Sequence, residues 1–292
     1  STLPIRLNDP LIISNSAASY GLTVAGAIAG NSAGTKTISN IGLGSSVTLS
    51  GVIGNGSGVV AINQASTNSV LVLSGVNTFT GAVTISAGTL RANDRVGIPG
   101  SPTNGNILIN GGVWESATDI SRDLGETSGT VQIPGGTSGF SANGNISVTL
   151  SNGLELVWGS PYFQPTILVL NESTAVSPLT FQNPLDLNAA VRTIYVRTAT
   201  GTVAGVIRNS GAPAGLTKGG RGVLVLSGNN TYDGTTWVTS GVLRLNHANA
   251  LGTSNLTITN AIVDGATNYP TFAQDLGSGA GQLQIIGGTA GF

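Results

Sequence analysis

The chain repeats itself over a long interval, and that constrains its fold more than any other feature. Leu71 to Asn93 reads LVLSGVNTFTGAVTISAGTLRAN and Leu224 to Asn246 reads LVLSGNNTYDGTTWVTSGVLRLN, with about half of the positions identical between the two. The shared positions include Ser74/Ser227, Gly75/Gly228, Asn77/Asn230, Gly81/Gly234, Gly88/Gly241 and Arg91/Arg244. A phrase written twice, with no reactive residue in it, points to a shape used twice and not to an active site.

The match extends with gaps. Gly51-Val52-Ile53 aligns with Gly205-Val206-Ile207, and Asp123-Leu124-Gly125 with Asp275-Leu276-Gly277. It closes with QIPGGTSGF, Gln132 to Phe140, against QIIGGTAGF, Gln284 to Phe292. The chain therefore divides into a first unit, 1–140, incomplete at its start, and a second, 141–292, expected to share one continuous elongated core. Inside each unit the glycines at Gly75, Gly81 and Gly88, and at Gly228, Gly234 and Gly241, mark corners and leave stretches of strand length between them. Within such a stretch Val83 and Ile85 alternate with Thr84 and Ser86. That period of two buries one face of each short strand.

Gly at 44 residues marks corners without a collagen period, and Val, Ile, Leu and Thr between the corners favour strands, so essentially no helix is expected. Hairpins would favour Asn-Gly or Asp-Gly at every other turn, whereas the corners here are mostly Ser-Gly, Thr-Gly and Ala-Gly. The expected fold is all-β, a parallel β-solenoid with roughly 20 to 25 residues per coil, about 12 to 14 coils and a rod roughly 60 Å long. Its expected hand is right, the general preference of parallel crossovers.

The phrase LSG-x-NT followed by Phe or Tyr, then x-G, and later G-x-L-R, resembles the passenger-associated repeat of autotransporters, also called the autotransporter-associated β-strand repeat. Gly205 to Gly252 resembles a complete copy, with Leu216-Thr217-Lys218 before the central strand; the first copy lacks that Leu-Thr-Lys element near Asn63 to Ser69. The resemblance implies a right-handed parallel β-helix, export, an extended shape at the bacterial outer surface or outside the cell, and no catalysis. Absence of Cys excludes disulfides and thiolate chemistry but leaves the compartment open, whereas low charge with abundant Ser, Thr, Asn and Gly fits an exposed exterior.

Reactive groups are sparse. His247 is the only His and its counterpart is Asp94, so neither a His-rich metal site nor a Ser/His/Asp triad is expected. Asp119, Asp123 and Glu126 could offer oxygen ligands to a cation, but only Asp123 recurs, as Asp275, which favours a turn residue. Asp186, Glu155 and Glu172 are the acids that folding could gather for polysaccharide cleavage. No catalytic, metal or cofactor site is expected. Asn77, Asn230, Arg91 and Arg244 read as structural because they recur, the Asn as buried corner residues bonding backbone. Phe79/Tyr232 and Phe140/Phe292 suit core stacking or an end cap. Trp114, Trp158, Trp237, Tyr162 and Phe163 differ between the copies, and Trp158, Tyr162 and Phe163 are the candidates for a distinctive contact such as a surface glycan.

A net charge of −1 with 11 scattered Lys and Arg leaves no basic stripe for nucleic acid, and no apolar run is long enough for a transmembrane helix. A start at Ser1 suggests a processed product or part of a longer protein. The expected partners are the chain itself, stacked head to tail because solenoid ends expose unpaired backbone, or flanking repeats of a longer chain. The leading expectation is a non-catalytic stalk or fibre; an adhesin or glycan-binding module is the alternative, and a β-helix hydrolase is the least favoured.

Overall fold

Strands of two to six residues pair in parallel with the coil before and the coil after, as in Gly88–Ala92 between Leu71–Leu73 and Gly112–Ser116. The structure, a computed structural model, describes residues 3–100, 105–266 and 274–292. It is an all-β parallel solenoid of about 11 turns, and a single-turn 3-10 helix, Ser151–Gly153, is the one helical element among the described residues.

The turns are fewer than the 12 to 14 expected because coil length is uneven. A short coil brings Leu71 into register with Leu90, whereas a much longer one separates Thr137 from its register partner, Ile167. One sheet of 12 strands runs from Leu22–Val24 to Leu283–Gly287 and sets the axis. The other sides of the coil are shared by shorter sheets of three, six, seven and three strands.

Alternation within strands explains the core. Val83 and Ile85 are wholly buried on either side of outward Thr84, and Leu243 and Leu245 on either side of Arg244. Each such side chain contributes about 1.5–3 kcal/mol by leaving water. Stacking in register places like on like, and one cluster of buried apolar residues extends from Leu7 to Leu283. In the wide middle coils this cluster turns aromatic: Trp114, Phe140, Phe181, Phe163 and Trp158 form a chain of ring contacts with centroids 5.6 to 6.5 Å apart.

The two sequence units are not stacked face over face. In the first copy, Leu71–Leu73 and Gly88–Ala92 lie in the 12-stranded sheet; their counterparts, Val223–Leu226 and Gly241–Leu245, lie in the seven-stranded sheet. Counting along the long sheet from Leu71–Leu73, six coils pass before Leu216–Gly219, and the second copy's strand follows on the next side. The interval between the copies is thus six coils plus one side.

Candidate functional site

Each repeated phrase builds a narrow coil at a place where a sheet stops. Among the described residues, the three-stranded sheet ending in Ile53–Gly54 has no strand above it, and neither does the one ending in Ile207–Arg208. In that gap stands the repeated Asn. Asn77 Oδ1 accepts the Ile53 N–H at 2.8 Å while the Thr78 N–H donates to Ile53 O at 2.8 Å. In the second copy Asn230 Oδ1 accepts the Ile207 N–H at 2.8 Å and the Thr231 N–H donates to Ile207 O at 2.9 Å. A side-chain amide carbonyl, with the N–H of the following residue, does what a further strand would do for the edge.

The same amide reaches the following coil. Asn77 Nδ2 donates to Gly97 O at 2.8 Å and Asn230 Nδ2 to Ala250 O at 2.6 Å. Both side chains are buried, at 5% and 2% exposure, so each joins three successive coils away from competing water. An amide supplies acceptor and donor on two separate atoms of one short, uncharged side chain, which lets it face two coils at once.

The corner behind this coil is closed by a second pair of equivalent groups. Gly88 and Gly241 have φ of +59° and +68°, which L side chains adopt at a cost, and their outer side faces Gln64 and Lys218 respectively. Gln64 Nε2 donates to Ser66 O and Ser69 O, both at 2.8 Å; Lys218 Nζ donates to Gly219 O at 3.0 Å, Gly220 O at 2.5 Å and Ser240 O at 2.8 Å. The first copy, which lacks the Leu-Thr-Lys element, thus fills the place with a neutral donor. Burial pulls the Lys218 ammonium down to about 8.

The sequence marks Gly81 and Gly234 as corner glycines like Gly88 and Gly241; both lie at bends, but their backbone conformation is different. Neither Gly81 nor Gly234 has a positive φ. What excludes a side chain there is the backbone of the preceding coil: a Cβ would lie 2.3 Å from Val60 O at Gly81 and 2.4 Å from the Ala214 carbonyl carbon at Gly234. The Gly81 and Gly234 N–H groups donate to Val60 O and Ala214 O, at 2.9 and 3.1 Å, so both glycines permit close coil-to-coil approach at a bend that needs no positive φ. Gly75 and Gly228 are alike in this: a Cβ at either would lie 2.5 Å from the carbonyl oxygen of Gly51 or Gly205.

Arg91 and Arg244 each reach an acid in register on the next strand. Arg91 Nε pairs with Glu115, and Arg244 Nε with Asp264 at 2.7 Å. Phe79 and Tyr232 are both fully buried. Where Val83 follows Phe79, Thr236 follows Tyr232, and its hydroxyl lies 2.7 Å from the Tyr232 hydroxyl. Burial drives the Tyr232 phenol up to about 12, against the opposing hydrogen bonds of Thr236 and Ser254.

The copy-specific aromatics are differently placed. Trp158 and Phe163 are wholly inside, edge to face at 5.6 Å, with the Trp158 Nε1–H donated to Pro165 O at 2.7 Å; Tyr162 is half-buried. Trp114 is also wholly inside and donates to Ala92 O at 2.8 Å, while Trp237 is 39% exposed. Phe140 is in the core, whereas Phe292 is 65% exposed.

Of the three acids, Glu155 and Asp186 share one arginine and Glu172 pairs with another. Arg208 contacts Glu155 at 2.5 Å and Asp186 at 3.0 Å, and Arg197 contacts Glu172 at 2.8 Å. Burial opposes the Asp186 charge, but the Asn188 and Ser210 N–H donors and Arg208 outweigh it and hold its carboxyl below the usual value. A general acid needs the opposite shift. Asp119 accepts the Ser147 N–H at 2.7 Å, and among the described residues no three His, Cys, Asp or Glu side chains are grouped so as to hold a metal ion. His247 Nδ1 accepts the Asn249 N–H at 3.0 Å in its corner, and its counterpart Asp94 is buried against Arg122.

A parallel solenoid punctuated by narrow, asparagine-sealed coils is the architecture of a β-solenoid repeat protein. The repeat itself is the passenger-associated-transport-repeat, whose family model matches residues 68–92 and 216–245, so the chain carries the autotransporter passenger repeat twice. A protein named adhesin BmaC autotransporter, from Brucella suis biovar 1 (strain 1330), is 28% identical over 172 residues, 58% of this chain. The chain spans 4% of that relative's length. No solved structure matches.

Proposed function

We propose that the chain acts without catalysis as a stalk or fibre segment of a bacterial surface or secreted protein, its units 1–140 and 141–292 stacking end to end with coils of their own kind. The observation that carries this reading is the double use of one edge seal, Asn77 and Asn230, within an uninterrupted core. A seal that ties three coils serves propagation along an axis. The carriage of two passenger repeats supports an exterior location.

Stacking on further coils, from flanking repeats or a second molecule, would pair the open backbone edges of end strands such as Leu11–Ile13 and Leu283–Gly287. Negative-stain electron microscopy of the purified protein tests the reading. Rods or filaments one coil wide are the expected particles; compact round particles would overturn it, and isolated short rods would restrict the role to spacing within a longer chain.

Adhesion is the second reading, supported by the printed name of the Brucella relative. Of the three candidate contact residues, Tyr162 is the one whose ring reaches the surface. Trp158→Ala would therefore act on a ligand only by disturbing the core.

A further inference from the structure

A trough lies on the outer surface of the long sheet in the first half of the rod. Its volume is about 300 Å³, within the range of small-ligand sites. Its floor is made by successive strands of that sheet: Thr89 and Val113 stand in register and are 3% and 2% exposed, although both point away from the core, and Thr137 enters on the next strand. One wall is the corner carrying Thr67 and Asn68; the other is the loop carrying Glu172, Ser173 and Thr174 together with Arg197.

The second wall is firmly built. Thr174 Oγ1 donates to Glu115 Oε2 at 2.5 Å, the Val176 N–H to Ala142 O at 3.0 Å, and the Glu172 N–H to Ser141 Oγ at 3.2 Å. Glu115, an outward residue in sequence with inward Trp114, is wholly buried beneath this loop. The loop is therefore packed onto the sheet as a fixed rim.

The chemistry of the lining selects a class of ligand. Its charged residues, Glu172 and Arg197, neutralise each other at 2.8 Å, which disfavours a strongly acidic or basic ligand. Among the described residues no aromatic ring lines it, which disfavours a nucleobase or an aromatic peptide side chain. What remains on the floor are the Thr89 and Thr137 hydroxyls, on strands two coil spacings of about 4.8 Å apart on either side of apolar Val113, with the Asn68 amide and the Ser173 hydroxyl on the walls. In the second copy Val242 replaces Thr89, so the polar floor does not recur with the structural positions.

We propose that this trough binds a short segment of neutral, linear oligosaccharide, running along the rod axis and hydrogen-bonded by Thr89, Thr137, Asn68 and Arg197. The proposal stands apart from end-to-end stacking, because the trough lies on the side of the rod.

Titration calorimetry of the whole chain with short linear neutral oligosaccharides tests it, alongside a sulfated oligosaccharide and an acidic peptide as charged probes. The expected result is saturable binding of a neutral oligosaccharide, weakened about tenfold by Asn68→Ala or Arg197→Ala, each removing about one hydrogen-bonding group, and lost in Ser173→Trp, which fills the trough from an exposed wall position. Circular dichroism and melting temperature should match the parent protein in each variant. Absence of binding at millimolar concentration across the neutral panel would overturn the proposal. So would binding that all three variants leave unchanged, or binding confined to a charged probe.

Discussion

The narrow coils of the repeated phrase and the wide coils between Gly112 and Tyr195 solve the same packing problem with different means. A coil that returns to register quickly, as from Leu71 to Leu90, encloses little space and is filled by Leu, Val and Ile with a single ring, Phe79. A longer coil, as from Thr137 to Ile167, encloses more and takes Trp158, Phe163, Phe140 and Phe181. The narrow coil omits a strand and must replace its hydrogen bonds with a side chain; the wide coil keeps its strands and must fill its volume with rings. Coil length, not position along the rod, thus decides which residue type is indispensable.

Phe140→Ala should therefore have the largest effect, about 3–5 kcal/mol, because it removes a ring contacting both Trp114 and Phe181 from a space that collapses only partly. Urea unfolding read by tryptophan fluorescence measures it. A loss below about 1 kcal/mol would show that the wide coils are not held by their aromatic chain.

Asn77→Ala and Asn230→Ala come next, at about 2–4 kcal/mol each, since each leaves a buried N–H and a buried carbonyl without a partner. Amide hydrogen exchange should show faster exchange at Ile53 in the first variant and at Ile207 in the second, with the other copy untouched. Equal protection in parent and variant would mean that the amide does not seal the edge.

The copies should also separate under alkali. For Lys218 the folded group loses its proton near 8 and the unfolded one near 10.5, so the unfolded state holds more protons between these values and stability rises with pH there. For Tyr232 the folded phenol holds its proton to about 12 against an ordinary 10.0, so stability falls as pH climbs between them. Lys218→Gln, which copies Gln64, should flatten the rise, and Tyr232→Phe, which copies Phe79, the fall. Unfolding measured from pH 7 to 11.5 checks both.

The smallest effect expected is that of Tyr232→Phe itself at neutral pH, within about 0.5–1.5 kcal/mol, one neutral hydrogen bond. Phe79→Tyr should cost more than this, because Val83 offers the new hydroxyl no partner. Melting temperatures of the two variants rank them directly.

The repeat made the parallel strands legible, because Val83, Ile85 and the glycine corners are local signals. The recurring Asn was legible as a structural residue for the same reason. Its partners were not, since Ile53 and Gly97 are 24 and 20 residues from Asn77 and only the coil length brings them together. The reason for Gly234 was hidden in the same way, because the carbonyl that crowds it belongs to Ala214 in the coil before. Copy-specificity pointed to Trp158 and Phe163 as surface contacts, yet these rings fill coils that have no narrow equivalent, so their singularity reflects volume. The place of Lys218 in the first copy was hidden because Gln64 fulfils it with a different charge.

The offset of six coils and one side has a consequence for anything that grips the rod. Equivalent surface groups, such as those beside Arg91 and Arg244, look out in different directions, like treads on a spiral stair. A single flat partner can meet one copy but not both, so avidity between copies would require a partner that wraps.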